Sequence, residues 1–253
     1  MTLLTLLLKI FNKTQLTQSK KIINSLFKDI EVKVEVLGSN SAGWLQIYVQ
    51  GEDQQIAVSY LTKEIGICPA TISAIEKGSN LIGQISEKAN KSLLIDIGVF
   101  EPKIVFASIY LEDIREQLFL DNEASLDKIV DLFGLAKRIP VQINVLDICK
   151  RQNLIKVKLS DKQVSLFELW KKSLLDRLIV QGVTHTEVKN AINFARLNRD
   201  IISVESLDLF TQVLTCKLGT QAKGLVPKLG RTLKKAKLTV FNPKKLYPNL
   251  IKI

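Results

Sequence analysis

The chain has 253 residues, 46% of them hydrophobic, with 36 Lys and Arg against 25 Asp and Glu and a formal net charge of +11. That length holds one large domain or two to three small ones, the apolar share suits a globular chain, and the charge points to an acidic partner, most simply nucleic acid. One His, and three Cys (68, 149 and 216) with no Cys-x-x-Cys pair, argue against a His-rich or structural zinc site and for a reducing, cytoplasmic setting, with no cofactor expected.

Thr2 to Ile10 is apolar but lacks a basic n-region and a small-residue cleavage site, and it is too short to span a bilayer. It reads as a buried first strand. Leu16, Ile22, Ile23, Leu26 and Phe27 recur at helical spacing, and Val32, Val34 and Val36 alternate with charges as in a half-buried strand. Trp44–Val49 is a further strand, with Trp44 as a packing residue, and a helix runs to about Ile65. A last strand near Thr71–Ile75 would complete a ferredoxin-like βαββαβ module over residues 1–76. Pro69-Ala70 marks a seam.

Residues 77–160 carry short hydrophobic strands at Leu81–Ile85, Leu93–Gly98, Ile104–Ile109, Val141–Val145 and Leu154–Ser160, enough to close a small barrel. Between the third and fourth, residues 111–139 read as a helical insertion, with Ser125 as an N-cap and Gly134 as a stop. After the barrel, a module over 161–253 opens on the capping-box pattern Ser160-Asp161-Lys162-Gln163. It continues with a strand at Leu178–Val180, a second capping box at Thr184–Glu187, a helix to Asn198, and strands at Ile201–Val204 and Thr211–Lys217. His185, in the first turn of that helix, reads as a capping-region residue rather than a catalytic one, and no nucleotide-binding Gly-Lys-Ser/Thr loop or Rossmann glycine pattern occurs. The fold class is therefore α+β and the protein is expected not to be an enzyme.

Charge is uneven. No acid follows Asp208, whereas Lys217, Lys223, Lys228, Arg231, Lys234, Lys235, Lys237, Lys244, Lys245 and Lys252 do. The lysines attract phosphate, and Gly219, Gly224 and Gly230 are expected to leave backbone N–H groups open to it; the competing reading is a solvated basic tail. Arg196 and Arg199 either grip phosphate or complement the helix dipole.

The barrel segment resembles the S-one type of OB-fold RNA-binding domain. Gly83 and Ile85 match its opening strand, Asp96 and Gly98 the end of its second, and Lys158-Leu159-Ser160 its close. That family stacks bases on aromatics of strands two and three; this chain offers Leu93, Leu94, Val105 and Phe106 there, so Phe106 is the one aromatic candidate. Nearly end to end, the chain also resembles an archaeal family classed as a domain of unknown function. The segments that carry this include Gly43-Trp44, Leu175–Val180, Arg199–Glu205 and Cys216-Lys217-Leu218-Gly219-Thr220 through Gly230. The archaeal family implies no activity; the barrel resemblance and the basic segment together point to a non-enzymatic RNA-binding protein of archaeal translation or RNA processing. Its RNA would be ribosomal, transfer or nascent, with ribosome or RNA polymerase components as further partners. Contact would run through Lys217, Lys223, Lys228, Arg231, Lys234, Lys235, Lys237, Arg196, Arg199 and Phe106. The alternative is a protein-interaction module of the same machinery.

Overall fold

A computed structural model describes residues 2–121 and 123–246. Leu4, Leu6 and Leu8 alternate inward on β1 (Thr2–Lys9), as the apolar start of the chain requires. Then come α1 (Lys13–Leu26), β2 (Val32–Ser39), β3 (Trp44–Gly51) and α2 (Gln54–Glu64). The strands form an antiparallel sheet in the order β1-β3-β2, and Asn12 caps α1 by accepting from the Gln15 N–H at 2.9 Å. Trp44 is a core residue, with the Lys9 ammonium 4.7 Å from its ring centre.

The strand expected at Thr71–Ile75 does not join this sheet. Ala70 takes a left-handed φ of 60° and turns the chain away, so Ala70–Thr71 (β4) pairs with the barrel and Ile72–Ala74 forms a tight 3-10 turn. The free edge of β1 is instead met just upstream: the Leu7 N–H bonds Gly66 O (3.0 Å) and the Cys68 N–H bonds Thr5 O (2.8 Å).

The barrel strands are β5 (Asn80–Ala89), β6 (Ser92–Glu101), β7 (Val105–Tyr110), β8 (Pro140–Cys149) and β9 (Leu154–Leu159). They pair in the order β6-β5-β8-β9-β7, and β7 returns to β6, which closes the ring. The β7–β9 contact, Ala107 opposite Ile155, is parallel and the rest are antiparallel, the connectivity of an OB-like barrel. Inward residues such as Ile85, Leu93, Ile95, Ile109, Val141, Ile143 and Val157 fill it. The expected closure over residues 78–160 holds despite the insertion, which carries α3 (Leu111–Gln117) and α4 (Leu126–Phe133). Ser125 caps α4, and Gly134 ends it at φ 65°.

The chain continues through α5 (Asp161–Lys172), β10 (Arg177–Gln181), α6 (His185–Phe194), β11 (Ile201–Asp208), β12 (Thr211–Cys216), α7 (Ala222–Thr232) and β13 (Lys237–Phe241). The sheet runs β11-β12-β10-β13, all antiparallel. One face, with Leu178, Val180 and Leu214, packs under α6 and α7. The other, with Ile179, Val213 and Phe241, packs on Phe133, Phe167 and Trp170. Thr184 and Glu187 form the reciprocal capping box foreseen for α6. At Ser160 the box is one-sided: Ser160 accepts from the Gln163 N–H, but the Gln163 side chain accepts from the Gln142 N–H of β8 (3.0 Å) and ties α5 to the barrel.

The basic segment is not a tail as far as residue 246. Ala222, Leu225, Leu229 and Leu233 recur at helical spacing and bury, which outweighs the roughly 3 kcal/mol penalty of Pro227 inside α7. Gly224 and Gly230 lie within that helix, and the Gly224 N–H bonds Gln221 O at 3.0 Å, so its amide is not open to phosphate.

Candidate nucleic-acid interface

Arg196 sits just past α6 in the left-handed conformation, φ 56°, where its N–H bonds Asn193 O (3.1 Å) and closes the helix. This turn leaves Arg196, Arg199 and the ring of Phe194 exposed. The Lys217 N–H then bonds Asp200 O at 2.8 Å, which fastens the β12–α7 loop beside the α6–β11 loop. Arg196, Arg199 and Lys217 are thereby held on adjoining loops at one end of the sheet.

From there α7 runs along the module. Its buried stripe fixes its rotation, so Lys223, Lys228 and Arg231 lie on the opposite, exposed face. At about 1.5 Å per residue the helix carries this face some 16 Å. Lys234, Lys235 and Lys237, all exposed, follow where β13 begins opposite Gln181. The N-terminus of α7 is already occupied, since the Asp176 carboxylate accepts from the Ala222 N–H at 3.0 Å. The Ala222 N–H is therefore not open to an anion.

The ion pairs among the described residues are Lys9–Asp96, Lys88–Asp127, Lys156–Asp113 and Lys172–Glu168. None takes a cation of the basic segment, or Arg196 or Arg199. Lys244 and Lys245 are exposed in a 3-10 turn, and Lys252 lies outside the described residues.

Phe106 is not on these elements. It is half-buried on β7 opposite Asp96. Leu93 and Val105 point into the barrel, so the aromatics looked for on these strands were sought partly at inward positions. Tyr110 escaped the sequence reading; the Lys156 ammonium lies 5.3 Å from its ring centre while pairing with Asp113 at 3.2 Å. Phe194, 80% exposed, was also missed. Its signal was a large aromatic breaking the apolar stripe of α6 beside Arg196. His185 is half-buried, its Nδ1 3.4 Å from Gln212 Oε1.

A second surface has the opposite sign. Asp113, Glu116, Asp161 and Glu168 line an open groove of about 530 Å3 with Lys158 and Phe119, which is 77% exposed; Asp113 and Glu168 are paired with Lys156 and Lys172. No group of His, Cys, Asp and Glu among the described residues is placed to hold a metal, and no helix among them is long and apolar enough to cross a membrane.

Sequence profiles of the DUF2110 central domain and the DUF2110 C-terminal domain match residues 75–171 and 175–241. The chain belongs to the DUF2110 family. Its central domain takes in the barrel and α5, and its C-terminal domain runs from just before β10 to the end of β13, so most of the basic segment is family structure. No curated protein matches the chain. Solved structures that overlap it include an uncharacterized protein of Methanocaldococcus jannaschii, at 13% identity and TM-score 0.25 over 34% of this chain and 95% of the other. Another is the a/eIF2alpha–aDim2p–rRNA complex from Pyrococcus horikoshii, at 15% identity and TM-score 0.26 over 49% and 60%. The intact alpha subunit of aIF2 from Pyrococcus abyssi overlaps at 8% identity and TM-score 0.23 over 66% and 97%.

Proposed function

We propose that this DUF2110 protein is a non-enzymatic RNA-binding protein of translation or RNA processing, and that RNA is held along α7 rather than across the barrel. One observation carries the reading. Lys217, Lys223, Lys228, Arg231, Lys234, Lys235 and Lys237 are exposed, unpaired with any described carboxylate, and fixed along one helix and its flanking turns. Like charges held this way repel one another, and an anionic polymer relieves that repulsion by displacing their counterions. Arg196, Arg199 and Phe194 extend the strip with a ring on which a base can stack.

Labelled single-stranded RNA titrated at several salt concentrations tests this. Engagement of about half the cations gives a log–log slope of about −3 to −4, at roughly −0.7 per phosphate. Replacing Arg231, Lys234, Lys235 and Lys237 with Ala makes the slope shallower by about 2 to 3 units, with circular dichroism unchanged. Equal slopes for the two proteins would remove these side chains from the interface.

The acidic groove supports a second reading, a protein-docking module. Glu116 and Asp161, which take no cation among the described ion pairs, lie beside an exposed Phe119 and suit a basic, partly apolar protein segment. Loss of protein partners on Phe119→Ser, in a protein that does not bind RNA, would favour it.

A further inference from the structure

Beside the exposed ring of Phe194, an open cleft of about 400 Å3 lies between α6 and β11. Sites for small ligands run from roughly 300 to 1,000 Å3. Helix α6 builds one wall. Val188, Ala191 and Ile192 bury against the sheet, so Lys189 and Asn193, four residues apart, stand one above the other on its flank. Strand β11 builds the other wall. It is the edge strand of the sheet, and it bulges at its start: Ile201 pairs with Cys216 and Ser203 with Thr215, which leaves Ile202 as an extra residue. The bulge turns Ile202 outward, 59% exposed, in the wall of the cleft. Asn198, from the loop that joins α6 to β11, completes the lining.

These side chains are open and uncommitted. Asn193 and Asn198 are exposed, and neither side-chain amide bonds a described protein group. Lys189, also exposed, takes no carboxylate among the described ion pairs. Glu205, which accepts from the Ser203 hydroxyl at 3.0 Å, lies outside the lining. Each amide offers donors and an acceptor, the pattern that a nucleobase edge also carries. Ile202 gives apolar surface for a ring face, and Lys189 attracts phosphate. The cleft is continuous with the basic strip, since Asn193 precedes Phe194 and Asn198 precedes Arg199. Strand addition by a protein segment fits the edge of β11 less well. A second irregularity falls between Ser206 and Asp208, so only Ser203–Ser206 keep a regular register.

We propose that this cleft receives one unpaired base of the bound RNA. Asn193 and Asn198 bond the base edge, Ile202 packs on its face, and Lys189 and Arg199 hold the phosphates on either side. The inference rests on the RNA reading above and adds to it a preference for single strands. In a duplex the pairing edges are already bonded and the ring faces stacked, so no base can enter the cleft without being unpaired. Charge alone works the other way, because a duplex carries phosphates at higher density than a single strand.

The test uses the full chain with a labelled oligoribonucleotide, free and annealed to its complement, at fixed salt. Wild type should bind the single strand about tenfold more tightly than the duplex. The double variant Asn193→Ala, Asn198→Ala removes two exposed amides and no charge. It should weaken single-strand binding by about tenfold, bring the preference toward one, and leave the salt slope and circular dichroism unchanged. In wild type, the side-chain amide signals of Asn193 and Asn198 should shift as the single strand is added. If wild type binds both forms equally and the double variant binds as wild type does, the cleft inference is overturned while the strip along α7 stands. A preference that survives in the double variant, with those two amides unshifted in wild type, also overturns it and leaves the edge of β11 to a protein segment. If neither form binds, the RNA reading falls and the cleft inference falls with it.

Discussion

The barrel and the C-terminal module treat their charges in opposite ways. On the barrel, Lys88 and Lys156 are paired with carboxylates of the helical insertion. Lys9 of the first module neutralises Asp96 on β6, and Gly98 beside it is pressed against Leu7 and Cys68. The part of the barrel most easily recognised in the sequence is thus committed to internal seams. On α7 the cations have no such partners among the described residues, and the face that carries them is exposed. In the function proposed above the recognisable fold is the scaffold and the unpaired charge the contact, in keeping with the rule that function is argued from the site and not from the fold.

Two glycines break this comparison most sharply. Gly98 has φ 82°, and a Cβ there would lie 2.7 Å from Cys68 Sγ and 3.1 Å from Leu7 Cδ2. Gly98→Val should cost about 3 kcal/mol or more, from left-handed strain and overpacking together, read as a lower urea midpoint. Gly224, on the exposed side of α7, has nothing within 4 Å of its would-be Cβ. Gly224→Ala should stabilise by about 0.5–1 kcal/mol, and a loss instead would mean that the α7 face is packed against something.

How much was legible follows the same division. The barrel strands show as alternating or continuous apolar runs bounded by turns, and every one was placed within a few residues. The caps at Ser125 and Thr184 were readable because a side-chain oxygen three residues from its target N–H is a local matter. The fourth strand of the first module failed because its apolar residues suit either partner. The decision fell to the left-handed turn at Ala70, and neighbouring residues do not encode which edge is free. In α7 and β13 the apolar spacing of Ala222, Leu225, Leu229 and Leu233 was present, but lysines, glycines and a proline hid it. The charge was read there as a phosphate-contacting segment or a solvated tail, without the helix whose outer face it marks. The cleft between α6 and β11 was out of reach, since Asn193, Asn198 and Ile202 come to line it only once α6 packs on the sheet and β11 bulges.

A smaller effect separates the modules by pH. Burial raises the Asp208 carboxyl pKa, partly offset by hydrogen bonds from Phe210 and Thr211. The folded state therefore holds its proton more tightly than the unfolded chain does. Stability from this group is full below the unfolded value of about 3.9 and is lost as pH rises through the higher folded value. Asp208→Asn, which keeps the acceptor for the Phe210 N–H, should flatten that part of the melting-temperature profile from pH 4 upward and leave the acid limb set by other carboxylates. An unchanged profile would mean that the site is wetter than its packing indicates.

The smallest perturbation leaves stability untouched and asks which seam opens first. Cys68, buried at the seam of the first module with the barrel, donates its thiol to Leu6 O at 3.4 Å, and burial followed by the Asp96 charge drives its pKa far up despite Lys9. Cys216 is fully buried under α7, and burial foremost, with Asp176 adding to it, pushes its thiol up to about 11. Cys149 is half-buried at the end of β8. Thiolate is the reactive form, so at pH 8 Cys216 would react roughly a hundredfold more slowly than a free cysteine on charge grounds alone, before burial is counted. A thiol reagent applied to the native protein should label Cys149 first. In rising urea below the midpoint, Cys216 should become reactive before Cys68 if the α7 layer opens locally, because exposed lysines that repel one another hold that helix less firmly than the Gly98 seam holds the first module. Peptide mapping of the labelled sites gives the order. Cys68 appearing first would reverse the comparison, making the barrel seam the weak joint of the molecule and α7 the rigid one.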